Sequence, residues 1–337
     1  MDRGFIVGEV TEALDNKQMV IACGSDENYA MPLAVMLFSL VSNIKTGTCV
    51  HIYVLSLGIT CETQNRLRDI SQRSDIELTI DFIEVDADRL DNLPLSGHIP
   101  AASYLRLFLP ALLPEAYDKV LFLDPDILIR NDITPLWDLD VNGYYLLAAP
   151  DPLIPSISSV GGPYNWKAIG IPPDNLYFNA GVLLINLKKW REDNLTAKAL
   201  KYVEENSGHL TYHDQEALNA VCYASWAEFD MMWNVLMVML RKARATNPPS
   251  KLQRYIESNF DDLWNRPAIC HFASPIKPWT HGHKVRFQAE WFKYLKRSGW
   301  FTTKTFNAWF LAWSLQHVRK IIARKVFRQE YPKIASA

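Results

Sequence analysis

Short apolar runs and helical stripes take turns along the chain. The runs at residues 18–24 (QMVIACG), 50–57 (VHIYVLSL) and 77–85 (ELTIDFIEV) predict strands. A helical repeat separates the first two, with Leu33, Leu37, Leu40 and Ile44 on one face, and a polar helix is expected over 62–73. Strand, helix, strand, helix, strand implies parallel pairing through crossover helices, hence an α/β class with a mostly parallel central sheet flanked by helices. A helix at 101–109 leads into the strand 119–123 (KVLFL). That run is apolar at every position after its lysine and reads as a central strand buried on both faces. Further strands are expected at 144–149 and 182–187, a long helix at about 189–205, a short one at 214–223, and a last core strand at 269–272. Beyond residue 287 the pattern is helical, aromatic and basic.

Between 151 and 174 the pattern breaks. Pro152, Pro155, Gly161, Gly162, Pro163, Pro172 and Pro173 punctuate a stretch of the kind that serves as a binding loop or lid. Residues 247–249 read as another loop. No apolar run exceeds six residues, whereas a spanning helix needs about 18. The N-terminus is charged throughout and lacks the apolar segment of a secretion signal, so a cytoplasmic body is expected. Composition sharpens this picture: 49% hydrophobic and 21% charged residues over 337 positions describe a globular chain with ample core. A net charge of −2 gives no basic excess, and no nucleic-acid partner is expected. The five cysteines are widely spaced and contain no C-x-x-C, which argues against a disulfide framework.

Three D-x-D triplets occur: Asp86/Asp88, Asp124/Asp126 and Asp138/Asp140. Only Asp124/Asp126 close an uninterrupted apolar strand, where ligands of open α/β sheets bind. Carboxylates two apart on extended chain face one way and could hold a divalent ion that clamps phosphate oxygens; a solvated Asp-Pro turn is the alternative. His271 ends its own strand six residues before Lys277. An imidazole beside the carboxylates would favour Mn²⁺ over Mg²⁺, and Lys277 would add a point charge for a phosphate. A structural histidine is the alternative. The segment 24–29 (GSDENY) joins the first strand to the first helix, where Asp26 or Asn28 could meet a base or ribose, beginning from Gly24; helix capping is the bland reading. Neither G-x-G-x-x-G nor a P-loop is present.

Several segments together carry a family resemblance: DENY after the first strand, YLRL at 104–107, KVLFLDPDILIRND at 119–132, PLW at 135–137, YFNAGVLLINLKKW at 177–190, HDQEALN at 213–219, and H-F-x-x-x-x-K-P-W at 271–279. In this order the chain resembles glycosyltransferase family 8, with bacterial lipooligosaccharide and lipopolysaccharide galactosyl- and glucosyltransferases as the nearest type. The resemblance implies a GT-A fold, a UDP-hexose donor, Mn²⁺ with Mg²⁺ as alternative, and retention of anomeric configuration. It places Asp124, Asp126 and His271 on the metal ligands, and Asp26 and Asn28 on nucleoside contacts. Arg106 and Lys277 fall on sugar and phosphate contacts, and Asn179, Asp151, Asp214 and Gln215 on the donor sugar and reaction centre. Two positions depart from the pattern. Pro125 replaces a small or β-branched residue, and Ser274 stands where the family often has glycine near the phosphates. Gln215 is a poor nucleophile, so same-face attack is expected rather than a covalent intermediate on Asp151 or Asp214.

On this reading residues 1–17 form an N-terminal extension and 18–150 a nucleotide-sugar-binding part. Residues 151–285 complete the metal and acceptor sites of the same domain, and 286–337 form a helical tail. In the tail, Leu311, Leu315, Val318, Ile322 and Val326 make one apolar stripe, with Lys320, Arg324 and Arg328 opposite and Trp309, Phe310 and Trp313 ahead of it. A basic amphipathic helix suits an anionic membrane surface and an enzyme lying on the inner face of the cell membrane. The acceptor is expected to be an oligosaccharide or lipid-linked glycan. A protein glycosyltransferase of the same fold and a catalytically silent sugar-nucleotide-binding, membrane-associated protein are the alternatives.

Overall fold

The computed structural model describes residues 18–73, 76–91, 93–94, 101–237 and 251–330, with side chains of the last helix to 323. The loop expected at 247–249, the N-terminal extension and the side chains of Arg324, Val326 and Arg328 lie outside the described residues.

The first three strands form as the hydrophobic pattern predicts: β1 (Met19–Asp26), β2 (Cys49–Leu57) and β3 (Glu77–Glu84) pair in parallel. The chain then returns past β1, and β4 (Lys119–Leu123) pairs with it in parallel on its other side. The gap between β1 and β4 is therefore a topological switch point, where a crevice opens beyond the strands' carboxyl ends. A three-residue strand β5 (Ile127–Ile129) follows, then β6 (Leu146–Pro150), β7 (Phe178–Asn186), β8 (Trp226–Glu228), β9 (Val235–Leu236) and β10 (Ile269–His271). Among the described residues the central sheet has seven strands in the order β3-β2-β1-β4-β7-β6-β8, with β7 antiparallel to both neighbours.

The unbroken apolar runs follow from burial on both faces. Ile21, Cys23, Leu121 and Leu123 pack with the helix Ala30–Asn43 on one side. Val20, Ala22, Val120 and Phe122 pack with the 3-10 helix Ala101–Phe108 and the helices after β7 on the other. Each buried aliphatic side chain contributes roughly 1.5–3 kcal/mol.

Several expectations are corrected. The long helix at 189–205 is two helices, Leu187–Glu192 and Leu195–Glu205, broken where Asn194 turns left-handed at φ 47°. Asparagine tolerates that conformation and ends the first helix there. The element at 101–109 is a 3-10 helix. The strand at 269–272 does not join the central sheet; as β10 it lies between β5 and β9 in a separate three-stranded sheet. The stretch 151–174 carries its own apolar cluster, with Ile154, Ile157 and Ile171 around Tyr177.

The last helix, Thr303–Glu330, also departs from expectation. Phe306 and Trp313 are buried against the core, and Trp309 and Phe310 are half-buried there, so these aromatics are not free for a membrane. Leu311, Leu315, Val318 and Ile322 remain exposed, each by more than half. Among the described residues no helix is long and apolar enough to cross a membrane.

Candidate active site

Three strands end at one edge of the sheet. β4 ends at Leu123, and its antiparallel neighbour β7 begins there, Leu123 lying opposite Val182. The Asp124 N–H therefore bonds the Gly181 carbonyl at 2.8 Å. β6 runs back to the same edge, so the Asp151 N–H bonds the Tyr177 carbonyl at 2.8 Å. β1 delivers Gly24 and Asp26 beside them. The result is one cavity of about 190 Å³ whose lining includes Asp124, Asp126, Asp151, Asn179, Asp214 and Gln215.

Asp124 and Asp126 are brought together by a turn around Pro125 between β4 and β5, not by extended chain. The second sheet supplies the imidazole. His271 in β10 pairs antiparallel with Ile127, the residue after Asp126, and the Phe272 N–H bonds the Asp126 carbonyl at 3.1 Å. His271 Nε2 consequently lies 3.3 Å from Asp126 Oδ1 and 3.8 Å from Asp124 Oδ2.

The donor set fits a divalent cation. One ligand atom from each of Asp124, Asp126 and His271 falls within 4.8 Å of the others. Gly181 leaves the room: a Cβ there would lie 2.2 Å from His271 Cε1 and 2.8 Å from Asp124 Oδ2. The histidine tautomer is fixed from a backbone amide outward. The Gly181 N–H donates to Asn179 Oδ1 at 3.0 Å, so that oxygen is an acceptor. Asn234 must then offer its amide Nδ2 to it, at 3.0 Å, and turn Oδ1 toward His271 Nδ1 at 2.8 Å. Nδ1 carries the proton, and the Nε2 lone pair faces the carboxylates, as a metal ligand requires.

Lys277 and Arg106 face the carboxylates of the cavity. Lys277 Nζ reaches Asp126 Oδ2 and the Phe272 carbonyl. Burial pushes the Asp126 carboxyl up, but the charges around it, Lys277 first, outweigh burial and hold it well below the usual carboxylate range. Burial raises Asp124 against the opposing Arg106. Arg106 itself is buried; its NH2 donates to Asp124 Oδ1 at 3.0 Å and its Nε lies 2.9 Å from Asp214 Oδ2. The Nε–H points to the Ser103 carbonyl, so the Asp214 contact is an ion pair without a directed hydrogen bond. Burial, only partly offset by Arg106, moves the Asp214 pKa up to about 6.

Gln215 Oε1 accepts from Asn179 Nδ2 at 3.1 Å and from the Ala180 N–H at 3.0 Å, which uses both lone pairs of that oxygen. Asn179 Nδ2 also donates to Asp151 Oδ2 at 3.1 Å, and the Leu153 N–H donates to Asp151 Oδ1 at 2.9 Å. On the β1 side, Asp26 Oδ1 caps the turn Glu27–Tyr29 by accepting from the Tyr29 N–H at 3.0 Å, while Asp26 also lines the cavity. The capping and lining positions coexist.

Of the residues singled out from the sequence, Asn28 and Ser274 do not line the cavity. Asn28 is exposed beside Asp26, and Ser274 Oγ folds onto the Ile276 backbone. The sequence reading missed Asn234, Gly181, Ser103, Tyr29 and Tyr212. Gly181 lay inside the quoted NAG segment, whereas nothing in local pattern marks Asn234.

A profile described as Glycosyl transferase family 8 matches residues 20–282. General stress protein A of Bacillus subtilis (strain 168) is 31% identical over 291 residues, covering 86% of this chain and 96% of that protein. The lipopolysaccharide 1,2-glucosyltransferase of Escherichia coli (strain K12) is 25% identical over 291 residues, covering 83% of this chain and 78% of that one. The crystal structure of galactosyltransferase LgtC in complex with donor and acceptor sugar analogs aligns with a TM-score of 0.70 at 29% identity, covering 82% of this chain and 95% of that chain.

Proposed function

Since this chain belongs to glycosyltransferase family 8 and is a glycosyltransferase of GT-A fold, we propose that it moves galactose or glucose from a UDP-hexose to an oligosaccharide or lipid-linked acceptor of the cell surface, with retention. The observation that carries this reading is the convergence of Asp124, Asp126 and His271 beside Lys277, at the switch point between β1 and β4. The acceptor class is supported by relatives whose names specify lipopolysaccharide glucosyl- and galactosyltransferases.

A divalent ion held by Asp124, Asp126 and His271, manganese or magnesium, would supply charge neutralisation for the diphosphate. The rest of the work falls to this chain's own groups. Lys277, whose ammonium is held above its ordinary pKa because Asp126 outweighs burial, stays charged beside the leaving group. Arg106 fixes Asp124 and Asp214 in place from behind. Gln215 has committed both oxygen lone pairs to fixed donors, so it orients and does not attack. Asp151 has each carboxylate oxygen hydrogen-bonded. This arrangement favours same-face attack by the acceptor hydroxyl; a trapped glycosyl adduct on Asp151 or Asp214 would overturn that step. The experiment for the activity as a whole is a screen of UDP-hexoses with Mn²⁺, following UDP release. Turnover of UDP-galactose or UDP-glucose that stops on chelation is expected, and metal-independent or absent turnover of every UDP-hexose would refute the reading.

The terminal helix enters the same proposal. The exposed stripe Leu311, Leu315, Val318 and Ile322, with Arg319 and Lys320 also exposed, is the face offered to an anionic bilayer. On this reading the enzyme lies peripherally on the cytoplasmic leaflet. Replacing these four apolar residues by serine should weaken sedimentation with phosphatidylglycerol vesicles by about fivefold or more, each side chain contributing its burial in the interface. Equal sedimentation of variant and parent would remove the membrane from the account.

A further inference from the structure

Lys277 stands on an irregular loop, residues 272–282, that contains neither strand nor helix. A charge meant for a diphosphate is useful only if its backbone is held in place. Part of this hold is internal: the Lys277 N–H donates to Thr280 Oγ1 at 3.1 Å, and that hydroxyl donates to the Lys277 carbonyl at 2.8 Å. The outer half of the loop is tied down from elsewhere. Gln288 Nε2 donates to the Pro278 carbonyl at 2.7 Å. Trp313 Nε1 donates to the Trp279 carbonyl at 2.8 Å. The Gly282 N–H donates to His317 Nδ1 at 3.1 Å, and the same imidazole hydrogen-bonds the backbone of Thr280.

Trp313 and His317 lie one helical turn apart on the inner face of the terminal helix, their rings stacked at 4.5 Å. Both lie beyond residue 282, where the family match ends. The Trp279 ring, whose carbonyl Trp313 holds, meets Tyr29 edge-on at 6.1 Å and Trp291 at 5.1 Å. Tyr29 lines the cavity on its β1 side. The terminal helix thus grips the loop two, three and five residues after the lysine.

We propose that Trp313 and His317 are positioning residues for the donor diphosphate, acting through the backbone of the Lys277 loop. The terminal helix is then part of the donor site as well as a surface element. The inference rests on the reading that Lys277 meets the diphosphate, and the test separates the two. It also means that deleting the helix is no clean test of membrane binding, because the deletion releases this loop.

The experiment measures UDP affinity by calorimetry with manganese present, on the full chain. Trp313→Phe keeps an aromatic ring and loses the N–H; His317→Ala loses both the Nδ1 acceptor and the bond to the Thr280 backbone; His317→Asn restores an acceptor at the position of Nδ1. The one hydrogen bond lost in W313F and the two lost in H317A should each weaken UDP binding about fivefold or more, with H317N, which regains the Gly282 bond, closer to the parent than H317A. Gln316→Ala, at an exposed position of the same helix, should bind as the parent does. In a Lys277→Met background, already weakened, W313F and H317A should add nothing, the mark of action through that lysine. If K277M binds UDP as the parent does, the donor reading falls and the clamp with it. If K277M is weakened but W313F and H317A are not, or if their effects persist undiminished on K277M, the clamp alone is refuted. Should W313F fail to fold, the H317A and H317N pair decides the matter.

Discussion

Replacing Gly181 by alanine is expected to lower transfer activity by on the order of 10²-fold or more, with manganese affinity falling alongside it. Gly181 lies within β7 and is not among the residues of positive φ, so alanine costs nothing in backbone conformation. The penalty is one of space. The new methyl would stand 2.2 Å from His271 Cε1 and 2.8 Å from both His271 Nδ1 and Asp124 Oδ2. Neither neighbour can yield without leaving its post. The imidazole is held through Nδ1 by Asn234, and Asp124 is held by Arg106 and by its own N–H on the Gly181 carbonyl. The strand itself is fully buried, so β7 cannot move outward at low cost. Overpacking of this kind typically costs 1–3 kcal/mol of stability, which leaves a folded but metal-poor protein. Thermal melting and manganese titration measured together distinguish that outcome from simple unfolding. A variant that binds manganese and turns over donor like the parent would show that the cradle is not where the ion sits. Gly208→Ala, where nothing lies within 4 Å of the added methyl, is the matched control.

The half of the site built on β1 and β4 was legible because it is local. An apolar run ending in Asp-Pro-Asp states both that the strand is central and that its carboxylates sit where it leaves the sheet. Asp86 and Asp138, in the other two triplets, are indeed elsewhere: Asp86 accepts from the Asp88 N–H in an exposed turn, and Asp138 is exposed. The other half depends on pairings that span long stretches of sequence. β5 is three residues long and β9 two, too short to show a period. Yet β10 pairing with both is what carries His271 to Asp126. Only the family resemblance, not periodicity, joined those residues in advance.

A similar limit explains why the place of the tail's aromatics was not legible. Its heptad-like stripe of aliphatic residues was legible, but a helix with aromatics on one side and aliphatics on another has two apolar faces. Sequence alone could not say which one docks. The structure gives the aromatic face to the core, where Trp313 and Phe292 meet with ring centroids 4.6 Å apart. It leaves the aliphatic face outward. The break at Asn194 was obscured for the opposite reason: the apolar positions on either side keep helical spacing through a residue whose left-handed backbone ends one helix and starts the next.

Asn234 was the least legible residue of all, and its replacement by leucine should weaken manganese binding about 10–100-fold, the range seen when a partner of a metal-bound histidine is removed. The side chain is fully buried and hydrogen-bonds Asn179 Oδ1 and His271 Nδ1. Leucine is close in volume and accepts nothing, so the His271 Nδ1 proton loses its partner. The ring then gains by moving its proton to Nε2, where Asp126 Oδ1 waits at 3.3 Å. A neutral imidazole in that tautomer presents a hydrogen where a lone pair is needed, and metal binding must first reverse the exchange. Saturating manganese should therefore recover most of the maximal rate in N234L, while the concentration needed for half-activation rises. An Asn179→Leu variant, which removes the acceptor that orients Asn234, should shift the same titration in the same direction by a smaller factor, because Asn234 keeps its own oxygen. If N234L titrates with manganese as the parent does, the tautomer is set by something other than the chain of amides running from Gly181 to His271.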